Sequence, residues 1–367
     1  MLGMRSIPGM RSIPSIRGVR KKSGMGERAY AYAKACGIIS KSFVGRRIRA
    51  LENVGRLYDL DRMVFPDESQ GLPEKELLQN LEKRIIKRAV NSIISIVECF
   101  SNPPDFLILL IRSYEYADLF SALCSSIDKK RTAPAHIDLG RFQTVHFSAW
   151  PDIEAMIKKT DYEFLLNERN IFNSAHETNA LQSVLDRHYY NAIWKSLFLL
   201  PERDRRVAEK VLSDEISLKN ASWALRLRTY YQMPANEVKL HLIDIPVREK
   251  RMPARKFRSL AKEALQCLEF PLTEFSAWSS WPWRKFLNPG TGEGSWQVDP
   301  RYFQNAAARY LFHLCGHYFR LCPFSLDSIF CFCKLKQFEE DILTSFAEGL
   351  GMGMSVRDSV SILEAEQ

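Results

Sequence analysis

The sequence predicts an all-α protein, and two observations carry that prediction. The first is a scarcity of chain breakers: 17 glycines and 17 prolines in 367 residues, below the roughly 12% of average usage. From Asp152 to Met233 the only glycine or proline is Pro201. Strands need turns every few residues, so helix is the economical reading of that stretch. The second is period. Leu78, Leu81, Ile85, Ala89, Ile93 and Ile96 recur at spacings of three and four, with Lys83, Arg84, Lys87 and Arg88 on the other side, the pattern of a helix with one buried stripe. Leu335, Phe338, Ile342 and Phe346 form a second such stripe.

Composition bounds the class. Hydrophobic residues at 46% and charged residues at 26% describe a globular chain, and its length calls for two or three domains. The longest apolar run, Phe106 to Ile111, falls far short of the about 20 residues of a spanning helix. The formal charge of +9 is concentrated: Arg5, Arg11, Arg17, Arg20, Lys21 and Lys22 lie in the first 24 residues, which hold no acid, and the rest of the chain carries +3. A body so near neutrality lacks the footprint of a nucleic-acid binder. The eight cysteines are scattered, and a chain of this size needs no disulfides to close its cores, so reduced thiols in the cytoplasm are expected.

Taken in order, residues 1–24 open with a tandem copy, Gly3 to Pro8 and Gly9 to Pro14. They have no helical period and read as a basic tail, or as an extension ahead of a true start at Met25. Helix-compatible sequence begins at once with Glu27 to Ala33. Pro201 followed by Glu202 and Asp204 reads as a helix start. Pro246 to Pro253 is a charged connector, and Trp281 to Gly292 a loop rich in aromatic and turn residues. These marks divide the chain into a tail at 1–24 and helical domains at 25–135, 136–245 and 246–367.

Three helices share a short echo: Glu115-Tyr116-Ala117-Asp118, Ser217-Leu218-Lys219-Asn220 and Asp341-Ile342-Leu343-Thr344. Each precedes a small and apolar run, and polar groups repeated at one helical position can satisfy polar partners between domains. Together with Tyr30 to Ala33, Leu185 to Tyr190, Ile216 to Asn220 leading to Arg226, Pro323 to Leu326, Lys336 to Ile342 and Glu348-Gly349-Leu350-Gly351-Met352, the chain resembles the C/d family of central-stalk proteins in vacuolar/archaeal-type rotary ATPases. Thr344 and Ser217 depart from the residues usual there, and Trp278 to Trp296 matches nothing in the pattern. The resemblance implies three similar domains around a pseudo-threefold axis, forming a funnel. It also implies a noncatalytic rotor part at the cytoplasmic face of a membrane, whose partners are the rotor shaft and the proteolipid ring, in a complex that moves protons or sodium. Glu115, Asp118, Asn220, Arg226, Glu340, Asp341, Glu348 and Gly349 are its motif positions.

Chemical constellations are weak by comparison. His313, Cys315, His317, Cys322, Cys331 and Cys333 are ligand types zinc favours, but no C-x-x-C pair occurs and packing is the expected role. The glycines at 349, 351 and 353 follow a helix and not a strand, so they read as a helix C-terminus and not a phosphate loop. Adjacent acids at 339–341 diverge on a helix, and Trp278, Trp281, Trp283 and Trp296 read as core or partner patch. No catalytic residue, cofactor, metal or small-molecule substrate is expected. The alternatives are an all-α enzyme with a site assembled from distant helices, or a helical scaffold.

Overall fold

The computed structural model describes residues 24–68, 71–128, 130, 132–167, 178–248, 257–289 and 296–353. The basic tail up to residue 23, most of the charged connector and Gly290 to Gly292 of the aromatic loop lie outside them.

Seven helices form the frame: α1 (Met25–Lys41), α3 (Glu74–Val97), α4 (Asp105–Ile127), α6 (Thr178–Leu197), α7 (Arg206–Tyr230), α10 (Pro300–Leu321) and α11 (Leu326–Gly351). Four shorter ones, α2 (Leu57–Val64), α5 (Ile153–Ile157), α8 (Ala235–His241) and α9 (Lys262–Cys267), sit in the connections. The protein is all-α. The exception among the described residues is a two-stranded antiparallel ladder, β1 (Pro246–Arg248) on β2 (Phe257–Ser259), with Val247 opposite Arg258.

The predicted stripes are the buried faces. Leu81, Ile85, Ala89, Ile93 and Ile96 of α3 are buried, with Leu77 completing the stripe and Leu78 only half-buried. Glu74 and Glu76 occupy the first turn of α3, where the helix dipole favours acids. The Asp299 side chain accepts from Arg301 N at the start of α10, and Ser325 from Ser328 N at the start of α11, satisfying donors the helices cannot. Beyond α11, Gly353 takes φ +72°, a left-handed residue suited to glycine at a helix end.

Two expectations are corrected. Pro201 starts a short 3-10 turn, Glu202–Asp204, and α7 begins only at Arg206; Asp204 is taken up by an ion pair with Arg28, 2.7 Å away. The stretch after Asp152 is not continuous helix either. α5 ends at Ile157, Lys159 has φ +62°, and a 3-10 turn runs Glu163–Asn167. Burying Tyr162 and Leu165 against α4 and α6 outweighs the lack of a breaker. Trp278, Trp281 and Trp296 are core residues.

The long helices pair antiparallel. Residues 106–114 of α4 share one core with 189–197 of α6, while 119–123 share another with 181–185. Residues 207–216 of α7 lie with 312–319 of α10, and 218–227 with 303–311. α3 lies along α11 from the other end of the chain: a Cβ at Gly351 would stand 2.9 Å from Leu78 Cδ2. One central core thus holds a part of every long helix, and two outer cores cap the α4–α6 and α7–α10 pairs.

Leu225 is fully buried in the outer core that contains Trp278. Leu225→Asp strands a carboxylate there and is expected to cost about 3–5 kcal/mol, read as a lower urea midpoint; an unchanged midpoint would place Leu225 outside the core.

Candidate functional site

The echo residues act on the backbone of incoming segments. On α4, Glu115 is fully buried and accepts from Thr144 N, from Thr144 Oγ1 (2.9 Å) and from Val145 N (2.7 Å), while Asp118 accepts from Ile137 N at 2.7 Å. On α7, Ser217 Oγ donates to Glu263 (3.2 Å) and accepts from Trp283 Nε1 (3.0 Å). Asn220 accepts from Ile243 N (2.8 Å) and donates to Ile243 O (2.9 Å). On α11 the equivalent pair is Lys336 and Glu339: Glu339 accepts from Phe43 N at 2.7 Å, and Lys336 bonds both Glu339 and Ser42 Oγ (3.1 Å). In each helix the residue at i+3 takes one backbone N–H: Ile137, Ile243 or Phe43.

The third echo therefore lies five residues before Asp341–Thr344. Asp341 is exposed, and the Thr344 hydroxyl is buried without a partner. A lysine in an apolar run reads as surface, which hides the true register; the buried Lys336 nonetheless closes an unbroken run of buried residues that begins at Leu326.

A second set of polar contacts joins the helices to one another. Tyr116 donates to Asp186 (2.7 Å), linking α4 to α6. Lys219 pairs with the same Asp186 (3.1 Å), and Tyr190 donates to Glu215 (3.0 Å), linking α6 to α7. Lys334 pairs with Glu215 (2.8 Å), linking α7 to α11. Tyr114 donates to Glu340 (3.2 Å) and Gln337 to Ser113 Oγ (3.0 Å), returning from α11 to α4. The circuit is closed, and Tyr310 ties α10 to it through Asp214 (2.8 Å).

Electrostatics mark the same places. Burial pushes Asp118 up to about 6, against the pull of the Ile137 N–H and His136. Burial and the neighbouring Asp341 push Glu340 up to about 7. Burial pushes Lys336 down, opposed by Glu339.

The remaining motif positions are not brought into this network. Arg226 is exposed, its guanidinium 5.6 Å from the Trp223 ring. The partly buried arginine contact belongs to Arg228, which donates to Cys267 O and, at 3.0 Å, to Phe270 O. Glu348 is exposed beside Glu82, and Gly349 is buried inside α11. Cys315, Cys331 and Cys333 are in the core while His313 and His317 face outward, and no group of three or more His, Cys, Asp or Glu among the described residues could hold a metal ion. What the site can do is mechanical: it fixes helices and connecting segments against one another.

The family described as ATP synthase (C/AC39) subunit matches residues 67–358, a span that takes in α3 to α11. An uncharacterized protein of Treponema pallidum (strain Nichols) is 26% identical over 324 residues, covering 88% of this chain and 92% of that protein.

Glu339→Ala leaves Lys336 and Phe43 N–H without their buried acceptor, an expected loss of about 3–5 kcal/mol. The double variant Lys336→Met, Glu339→Gln strands no charge and should lose clearly less in the same urea titration. Glu340 supplies a pH test. Its raised pKa means the native state holds a proton that the unfolded chain releases near 4.5. Its contribution to stability is full below about 4.5 and lost as pH rises through about 7. Glu340→Gln should therefore gain on the parent by about 1–2 kcal/mol between pH 5 and pH 8; parallel stability curves would contradict this.

Proposed function

The chain belongs to the ATP synthase (C/AC39) subunit family, and from that premise we propose that it is the noncatalytic central-stalk subunit of a vacuolar/archaeal-type rotary ATPase. It joins the rotor shaft of the soluble sector to the proteolipid ring at the cytoplasmic face of the membrane. Family membership carries this reading. The closed polar circuit across α4, α6, α7 and α11 supports it, because torque passes only through a body whose parts do not slide. Close packing supplies stiffness. The load is substantial, since each charge driven across 100 mV stores about 2.3 kcal/mol. Among the described residues no helix is long and apolar enough to cross a membrane, so attachment to the ring is through partners or surface contact.

We arrange the body as three helical units around a pseudo-threefold axis, a funnel whose socket takes the shaft. The three helix pairs and the three i+3 backbone contacts support that arrangement. The units then follow the pairs, so cuts near residues 135 and 245 fall between the two helices of a pair, and α11 completes the first unit.

Complexes reconstituted without this subunit should still hydrolyse ATP in the soluble sector while ion pumping is lost. Pumping that survives its absence would refute the coupling role, and turnover of a substrate by the isolated chain would make it an enzyme.

A further inference from the structure

Ahead of α10 the aromatic side chains build a wall of their own. Trp278 Nε1 donates to Pro271 O (2.9 Å), Trp281 Nε1 to Glu263 O (2.9 Å) and Trp296 Nε1 to Asn288 O (3.1 Å). Asn288 also donates to Gln297 O and accepts from Asp299 N, both at 2.9 Å, which fixes the approach to α10. Two 3-10 turns, Phe275–Ser280 and Arg284–Phe286, and the first turn of α10 border a cleft of about 580 Å³. Its lining includes Phe275, Pro282, Arg284, Lys285, Leu287 and Tyr302. Both the volume and the mixture, mainly apolar with a few polar groups, are those of a small-molecule site.

Arg284 differs from the other half-buried arginines. Arg28, Arg84, Arg112 and Arg228 each reach a carboxylate or a backbone carbonyl. The Arg284 guanidinium lies over the Phe275 ring, 4.5 Å from its centroid, and its Nε is buried without a partner. Among the described residues nothing forms a hydrogen bond or ion pair with this side chain. A ring face attracts a cation but accepts none of the guanidinium's hydrogen bonds in the way a carboxylate does. The exposed Lys285 beside it stands 4.9 Å from the Phe286 ring and has no carboxylate partner among the described residues either. The nearby acids are committed elsewhere: Glu274 accepts from Ser276 Oγ (2.7 Å) and Asp299 from Arg301 N (2.8 Å). Among the described residues no acid lines the cleft.

We propose that this cleft binds a flat ring carrying phosphate, the chemistry of a nucleotide. Two cations without a matching acid call for a doubly charged group, and a phosphate carries about −1.5 to −2 where a carboxylate carries a single charge. A guanidinium braced flat on a ring presents its outer edge in one plane, which suits the paired hydrogen bonds that arginine makes to phosphate. Pro282 and the buried Leu287 supply apolar cover, and the exposed Tyr302 ring offers the base a face to stack on. The inference goes beyond the coupling role and does not rest on it. Its test needs only the isolated chain, so its failure leaves the coupling experiment standing.

The test is isothermal titration calorimetry of the full chain with ADP, and separately with pyrophosphate and with adenosine. ADP is expected to bind at one site, about tenfold or more tightly than either of the other two. Arg284→Gln should weaken ADP and pyrophosphate alike by about tenfold or more, the loss of a charge-assisted pair. Tyr302→Ala should weaken ADP and leave pyrophosphate unchanged. Lys285→Ala alters an exposed position and repeats the charge test should Arg284→Gln lower the thermal midpoint. The proposal is overturned if ADP gives no saturable heat at millimolar concentration, or if Arg284→Gln and Lys285→Ala bind it as the parent does. Pyrophosphate binding as tightly as ADP would also overturn it, leaving an anion site with no place for the ring. Adenosine binding as tightly would do the same by removing phosphate from recognition.

Discussion

The frame depends on a closed circuit of polar contacts, α4 to α6 to α7 to α11 and back to α4, running through Tyr116, Asp186, Lys219, Tyr190, Glu215, Lys334, Glu340 and Tyr114. Apolar packing alone lets helices settle at several neighbouring registers with little difference in energy, because dispersion is non-directional. A buried tyrosine that must reach one carboxylate does not. The circuit adds modest net stability, since partly buried ion pairs lose in desolvation much of what they gain in attraction. It selects one arrangement of helices instead. That is the property the proposed rotor role requires.

The backbone contacts made by Asp118, Asn220 and Glu339 answer a different requirement. Each connecting segment meets the body outside helix or strand, and its N–H groups must find acceptors once water is excluded. A side chain one helical turn after another polar residue supplies the acceptor at the same relative place on three helices. Two of the three segments share a local signature: Ile137-Asp138-Leu139 and Ile243-Asp244-Ile245 both present their isoleucine N–H to the helix. The third uses Ser42-Phe43, drawn from the opposite end of the chain.

Helices were legible in the sequence because their signal is local: the stripes of α3 and α11 lie on the buried faces that their period predicts. Glu115, Asp118 and Asn220 were legible for the same reason, each next to its own segment. The third pair was not. It joins residues 296 positions apart, and its lysine has the appearance of a surface residue until the contact with Ser42 and Glu339 is known. Arg226 and Arg228 differ by two positions on α7, enough to turn one outward and the other under Cys267; no pattern in one sequence separates them. The break after α5 also left no trace, because Lys159 adopts a left-handed backbone without glycine.

The union of α3 with α11 constrains how the protein is made. A chain emerges from the ribosome at about 5–20 residues per second, so α3 waits on the order of ten seconds or longer for the helix that covers it. Through that interval the face of α3 that meets α11 lacks its partner, and the first-made helices are held as an unfinished surface while the α4–α6 and α7–α10 pairs assemble. Synthesis order and assembly order are thereby inverted: the earliest helices finish last. Nascent chains stalled before residue 326 should be the species that molecular chaperones bind most, and release should coincide with the emergence of α11.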